Sequence, residues 1–139
     1  MAAADVFIDT SAFVALWDAS DKHHAAALRV QAELTRNRRR LLTSEYIVDE
    51  TVTLLLTRHS HDAAADFLET VERTEWLALE WISPDRFHVA ASFFRKHTDH
   101  TWSFTDCVSF TLMRELRLHD AFTSDHHFRQ AGFVPLLKA

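Results

Sequence analysis

The nine residues Asp5–Phe13, D-V-F-I-D-T-S-A-F, decide how the rest of the chain is read. Val6, Phe7 and Ile8 form an unbroken apolar run of strand-favouring residues, the pattern of a strand buried on both faces. The run stops at Asp9, Thr10 and Ser11 follow, and Ala12–Trp17 continues with helix-compatible spacing. A buried parallel strand that ends on a carboxylate where a helix begins describes the active-site edge of an open α/β sheet. The plainer reading is that Asp9 or Thr10 only caps the helix, since both residue types accept bonds from unpaired backbone N–H groups. Taken alone, the junction favours the cap. The functional reading needs other carboxylates to arrive at the same edge.

Composition restricts the chemistry available there. The 139 residues are read as one domain, 1–139, long enough to bury a core. With 47% apolar and 25% charged residues, the chain has the balance of a soluble globular protein rather than a disordered one. The single glycine, Gly132, excludes both G-x-x-x-x-G-K-[ST] and G-x-G-x-x-G, so phosphate chemistry must use metals or side chains. The single cysteine, Cys107, excludes an internal disulfide and a Cys-based zinc site and fits a reducing compartment. No basic n-region or long apolar run reads as a signal peptide or membrane span, so a cytoplasmic protein without a membrane partner is expected. A net charge of −5 argues against a binder that works by bulk attraction to nucleic acid. It does not argue against a nuclease, because divalent cations reverse the sign of a carboxylate pocket. The one basic run, Arg36–Arg40, reads as a solvated helix end.

Outward from the first strand, the chain alternates. A helix is predicted over His24–Asn37, a strand over Leu41–Thr43, and helices over Glu45–Arg58 (N-cap Ser44) and His61–Trp76. Leu77–Ile82 reads as a strand, and Ser83 and Pro84 as N-cap and N1 of a helix to about His97. Ser103 opens a helix to about Leu118, Ala121–Thr123 is a short strand, and a helical turn through Gln130 ends at Gly132 in the C′ position. Phe133–Leu137 is read as a final edge strand. This alternation predicts a three-layer α/β/α sandwich around a central parallel sheet with right-handed crossovers.

On that topology Asp9 and Asp125, which ends a late strand, open on the same sheet edge. Asp106 lies in the first turn of the helix from Ser103, where S-x-x-D is also a capping-box pattern. Asp125 is equally readable as a cap, and Glu50 as a half-exposed helical glutamate. Asp49 beside Glu50 points elsewhere, because neighbours i and i+1 on a helix do not face the same way. Jointly, three aspartates at strand–helix junctions or first helical turns favour a shared site. Clustered carboxylates repel and raise each other's pKa, and Mg²⁺ or Mn²⁺ suits such an all-oxygen set. The chemistry that follows is metal-assisted phosphodiester hydrolysis.

At these residues the chain resembles a known family. D-T-S-A-F, the helical glutamate of S-E-Y-I-V-D-E-T, S-F-T-D-C and T-S-D-H-H-F, in this order and over nearly the whole length, look like PIN domains. The nearest type is the VapC-like ribonuclease toxin of toxin–antitoxin pairs. The resemblance implies that Asp9, Glu50, Asp106 and Asp125 form an acidic quartet around Mg²⁺ or Mn²⁺, with Ser11 and Thr105 as supporting hydroxyls. It further implies an RNA substrate, a cognate antitoxin that occludes the groove, and a homodimer.

Other signals weigh less. Ten histidines invite a zinc reading, but His59 with His61, and His126 with His127, lack the i, i+4 spacing of a helical zinc pair. His126, next to Asp125, is the histidine considered for a place in the pocket. Ser11 lacks a nucleophile elbow, and Cys107 reads as packed. Phe93, Phe94, Trp102 and Phe104 read as core, some of them available for a groove or dimer face. An aspartyl-phosphate enzyme would want a second acid two residues after Asp9, and that position is Ser11. A receiver domain would want paired acids at the first strand, which Phe7-Ile8-Asp9 does not supply. The rival of another class is a catalytically idle module whose acidic groove docks a basic partner protein.

Overall fold

The structure is a computed structural model and describes residues 5–138. Among the described residues short, largely apolar runs make five strands: β1 (Val6–Ile8), β2 (Leu41–Thr43), β3 (Leu77–Leu79), β4 (Asp120–Phe122) and β5 (Val134–Pro135). Every pairing is parallel, in the order β3-β2-β1-β4-β5. Parallel neighbours require crossovers, and helices supply them. α1 (Thr10–Trp17) and α2 (His24–Arg36) join β1 to β2, and α3 (Glu45–Arg58) and α4 (His61–Arg73) join β2 to β3. α5 (Pro84–Lys96) and α6 (Phe104–Glu115) carry the chain from β3 back to β4, and α7 (His126–Gln130) leads to β5. This is the expected α/β/α sandwich.

β1 occupies the centre, as its uninterrupted apolar run requires: Val6, Phe7 and Ile8 are fully buried. Around it aromatic pairs fix the helices. Phe7 meets Phe128 of α7 at 6.1 Å, and Phe128 stands edge-to-face with Phe110 of α6 at 5.0 Å. Phe13 of α1 meets Phe67 of α4 at 4.9 Å. The chain leaves β1 on one side for β2 and β3 and returns on the other with β4 and β5. The strand order therefore reverses between β1 and β4, where outgoing loops diverge and leave a crevice at the carboxyl ends.

The expected caps form. Ser83 accepts from the Arg86 N–H at 3.2 Å with Pro84 in the first helical position. Gly132, at φ +97°, follows α7 in C′, its N–H donating to the Arg129 carbonyl and that of Phe133 to Phe128. Ser44 takes the N-cap backbone of α3, but its hydroxyl makes no cap bond. Element ends differ where a distant partner competes. The expected strand Leu77–Ile82 stops at Leu79, because the Ile82 N–H donates to the Glu45 carboxylate at 3.0 Å instead of to a neighbouring strand. The helix expected to reach Trp76 ends at Arg73, where Thr74 turns extended. The helix expected to reach Leu118 ends at Glu115, and Arg117 takes a positive φ of 57°. No helix among the described residues is long and apolar enough to cross a membrane.

Candidate active site

Because Ile8 pairs with Phe122, the residues that follow the two strands leave the sheet side by side. Thr123 Oγ1 donates to Asp9 Oδ2 at 2.9 Å, and Ser11 Oγ donates to the same oxygen at 3.2 Å. Ser11 Oγ also lies 3.0 Å from Thr123 Oγ1 and accepts from the Ser124 N–H at 3.0 Å. Two hydroxyls thus lock one carboxylate oxygen of Asp9, whose residue is only 5% exposed.

Each aspartate is a cap and a member of the site at once. Asp9 is the N-cap of α1 and Asp125 the N-cap of α7, where Asp125 Oδ1 accepts from the His127 N–H at 2.9 Å. Asp106 completes a capping box with Ser103: the Ser103 N–H donates to Asp106 Oδ2 at 3.1 Å and the Asp106 N–H to Ser103 Oγ at 3.0 Å. Capping is the local device that aims these carboxylates, since it sets three helix starts at one rim of the sheet. Glu50 arrives from the α3 side, where Thr10 Oγ1 donates to its Oε1 at 2.6 Å.

Asp9, Glu50, Asp106, Asp125 and Ser11 line one cleft of about 560 Å³. Thr105 does not line it; its described bond is made by the backbone carbonyl, which accepts from Ser109 Oγ at 3.0 Å. Ser103, two residues earlier, contributes a hydroxyl to the wall instead. Of the histidine pair, His126 Nδ1 stands 3.7 Å from Asp125 Oδ1, and it is His127 that lines the cleft. Its Nδ1 lies 3.1 Å from Asp106 Oδ2 and 3.5 Å from Asp125 Oδ1, while the His126 side chain is 68% exposed. Successive helical residues point about 100° apart, so only one of an adjacent pair can turn inward, and the bond from the His127 N–H to Asp125 selects it. The sequence does not single out Thr10, Ser103 and Thr123 as site residues, and it offers His127 only as a zinc candidate without the right spacing. The available signal was that all four stand one to three residues from a candidate carboxylate or hydroxyl.

Electrostatics set the demand of the cluster. Burial pushes the Asp9 carboxyl up to about 7, with the Asp125 and Glu50 charges adding to the rise and bonds from Thr123 and the Thr10 backbone opposing it. Burial also raises Asp106, helped by Asp125 and opposed by the Ser103 backbone and His127. Carboxylates that hold each other's protons on in a shared cleft are relieved by a cation, and the oxygen-rich donor set fits a hard divalent one. Asp125, His126 and His127 also place ligand atoms within 4.8 Å of one another, though on the exposed side of the rim. A second cleft, of about 520 Å³ beside α5 and α6, has Glu115 as its only carboxylate, and Arg86 pairs with it at 2.6 Å. It offers no comparable set.

Comparison with known proteins agrees with this geometry. The PIN domain family model matches residues 6–134. The 23S rRNA-specific endonuclease VapC20 of Mycobacterium tuberculosis, in strains CDC 1551 / Oshkosh and ATCC 25618 / H37Rv, is 35% identical over 133 residues, covering 93% of this chain and 95% of the relative. The crystal structure of Mycobacterium tuberculosis VapC20, described as a sarcin-ricin loop cleaving toxin, superposes with a TM-score of 0.87 at 30% identity, over 96% of this chain and 99% of that one. VapBC2 from Rickettsia felis, bound to a DNA fragment from its promoter, shares the fold at a TM-score of 0.66 and 10% identity, over 93% and 95% of the two chains. By sequence and by fold, this chain belongs to the PIN-domain family, as a protein of the VapC type.

Proposed function

We propose that this protein is a divalent-metal-dependent endoribonuclease and the toxin of a toxin–antitoxin pair, acting on a structured ribosomal RNA segment as its relative does. The observation that carries the reading is the convergence of Asp9, Glu50, Asp106 and Asp125 from four separate elements on one cleft where the strand order reverses. Mg²⁺ or Mn²⁺ held by these four would lower the pKa of a water and neutralise charge on the phosphodiester. The protein's own residues prepare the cleft. Thr123 and Ser11 hold one oxygen of Asp9, and Thr10 orients Glu50. His127 fixes the direction of Asp106 and Asp125 by standing between them. Of the two hydroxyls implied by resemblance, Ser11 has support from its place in the cleft, and Thr105 has a supporting position only through the helix it shares with Asp106. A basic antitoxin segment is complementary to the same acidic cleft, and a homodimer is part of the reading by family.

The test is cleavage of an RNA hairpin carrying the sarcin-ricin loop sequence, against an unrelated hairpin, with Mn²⁺ or with chelator. Cleavage of the first RNA only in the presence of metal is expected. Asp106→Asn, which keeps the capping-box acceptor, is expected to lower the rate at least about 100-fold. Undiminished cleavage by Asp106→Asn would remove Asp106 from the machinery. Absence of cleavage by the wild type under all metals would leave an acidic docking module.

A further inference from the structure

The cleft is not acidic throughout. Along α3, Glu50, Leu54 and Arg58 recur at i, i+4 and i+8, so they form one stripe, and all three line the cleft. Eight helical residues advance about 12 Å, which sets Arg58 well beyond the carboxylates on the same wall. Lys22, in the loop between α1 and α2, also lines the cleft. That loop has a defined shape, because Asp21 Oδ1 accepts from the His23 N–H at 2.8 Å. Among the described residues neither Lys22 nor Arg58 takes part in an ion pair or side-chain hydrogen bond, although Asp21 lies beside Lys22 in sequence and also lines the cleft. Among the described residues other exposed cations, such as Arg29 and Arg95, are also without an ion pair, but they do not line the cleft; what sets Lys22 and Arg58 apart is their place in it. In a chain of net charge −5, two uncommitted cations in the cleft that holds five carboxylates, four of them in the acidic cluster, call for an anionic ligand long enough to reach both regions.

We propose that Arg58 and Lys22 are the substrate-positioning pair of this cleft: they hold a backbone phosphate that flanks the scissile one, so the RNA strand leaves the acidic cluster along α3 toward the α1–α2 loop. The proposal rests on the nuclease reading above and adds the direction of the strand. Such contacts set register without reading bases. Leu54, half-buried between Glu50 and Arg58, gives the intervening floor an apolar surface over which a sugar or base passes.

The experiment measures binding of a fluorescein-labelled hairpin RNA to the cleavage-disabled Asp106→Asn protein across a salt series, and cleavage by the otherwise wild-type protein with Mn²⁺. Arg58→Ala and Lys22→Ala are each expected to weaken binding roughly tenfold and to reduce the salt slope by about one. In the active protein they are expected to raise KM far more than they lower kcat, and Arg58→Lys is expected to retain most of the slope. Arg36→Ala, at the end of α2 and away from the cleft, serves as the control and is expected to leave slope and KM unchanged. Thermal melts confirm that the exposed Arg58 and Lys22 variants fold. Unchanged salt slope and KM in both variants, with the wild type cleaving normally, would overturn the positioning pair and leave the nuclease standing. Loss of affinity in the variants of a wild type that never cleaves would retain the phosphate site and overturn the nuclease.

Discussion

Asp9 carries two obligations that pull its proton in opposite directions. As N-cap it benefits from charge, yet it is 5% exposed and faces Asp125 and Glu50, and burial dominates, holding its pKa near 7 against an ordinary 3.8. A carboxyl raised in the folded state binds its proton more tightly there than in the unfolded chain. Its stabilising contribution is therefore complete below about pH 4 and is lost as pH climbs through about 7. A rise of that size corresponds to about 4 kcal/mol, so the metal-free protein should become markedly easier to unfold across that window. Urea denaturation in chelator from pH 4 to 8 checks this. Asp9→Asn, which has no proton to lose, should flatten the profile and melt above the wild type at pH 8. Parallel profiles for the two proteins would show that another group governs the pH dependence.

At the scale of elements, the site depends on how α6 is held. Asp106 sits in its first turn, and the helix is pinned about one turn later by Phe110, fully buried against Phe128 at 5.0 Å, Trp102 at 5.1 Å and Phe133 at 5.8 Å. Phe110→Ala opens a cavity among aromatic rings that cannot collapse together without moving α7, and it should cost about 3–5 kcal/mol. Because α6 and α7 carry Asp106 and Asp125, the same change should lower RNA cleavage well below the melting transition, where the protein is still folded. A Tm drop with full cleavage at low temperature would mean that the carboxylates are aimed by their caps alone. Buried Cys107, whose thiol is pushed up to about 11 by burial with Asp106 adding to it, is a packing residue of the same helix.

For the molecule as a whole, a metal ion held by the cluster as proposed would couple folding to its binding. Ions that bind the ionised carboxylates compete with the protons that burial favours, so their effect on stability must grow with pH. Mn²⁺ at about 100 times its dissociation constant should add about 2.7 kcal/mol at pH 8 and much less at pH 5, and chelation should reverse the gain. Thermal melts with and without Mn²⁺ at the two pH values measure this directly, with Asp106→Asn expected to lose most of the response. An equal rise at both pH values would place the ion away from Asp9.

Local patterns alone placed a good part of this protein. The apolar triplet of β1, the short Leu41–Thr43 run of β2, the Ser83-Pro84 start of α5, the glycine that ends α7 and the aspartates at the strand–helix junctions each depend on residues a few positions apart, so each is legible in the chain. The parallel sheet follows from the same alternation. Tertiary structure decided the rest. Thr123 reaches Asp9 across 114 residues because β1 pairs with β4, and Thr10 reaches Glu50 across 40 because β1 pairs with β2, so that α1 and α3 start side by side. His127 faces inward and His126 outward because α7 starts where it does, and β3 ends early because Glu45, 37 residues away, takes the Ile82 N–H. A sequence specifies caps and buried runs through short-range sterics and hydrogen bonding, whereas the partner of a polar group is chosen among all those that packing brings near it.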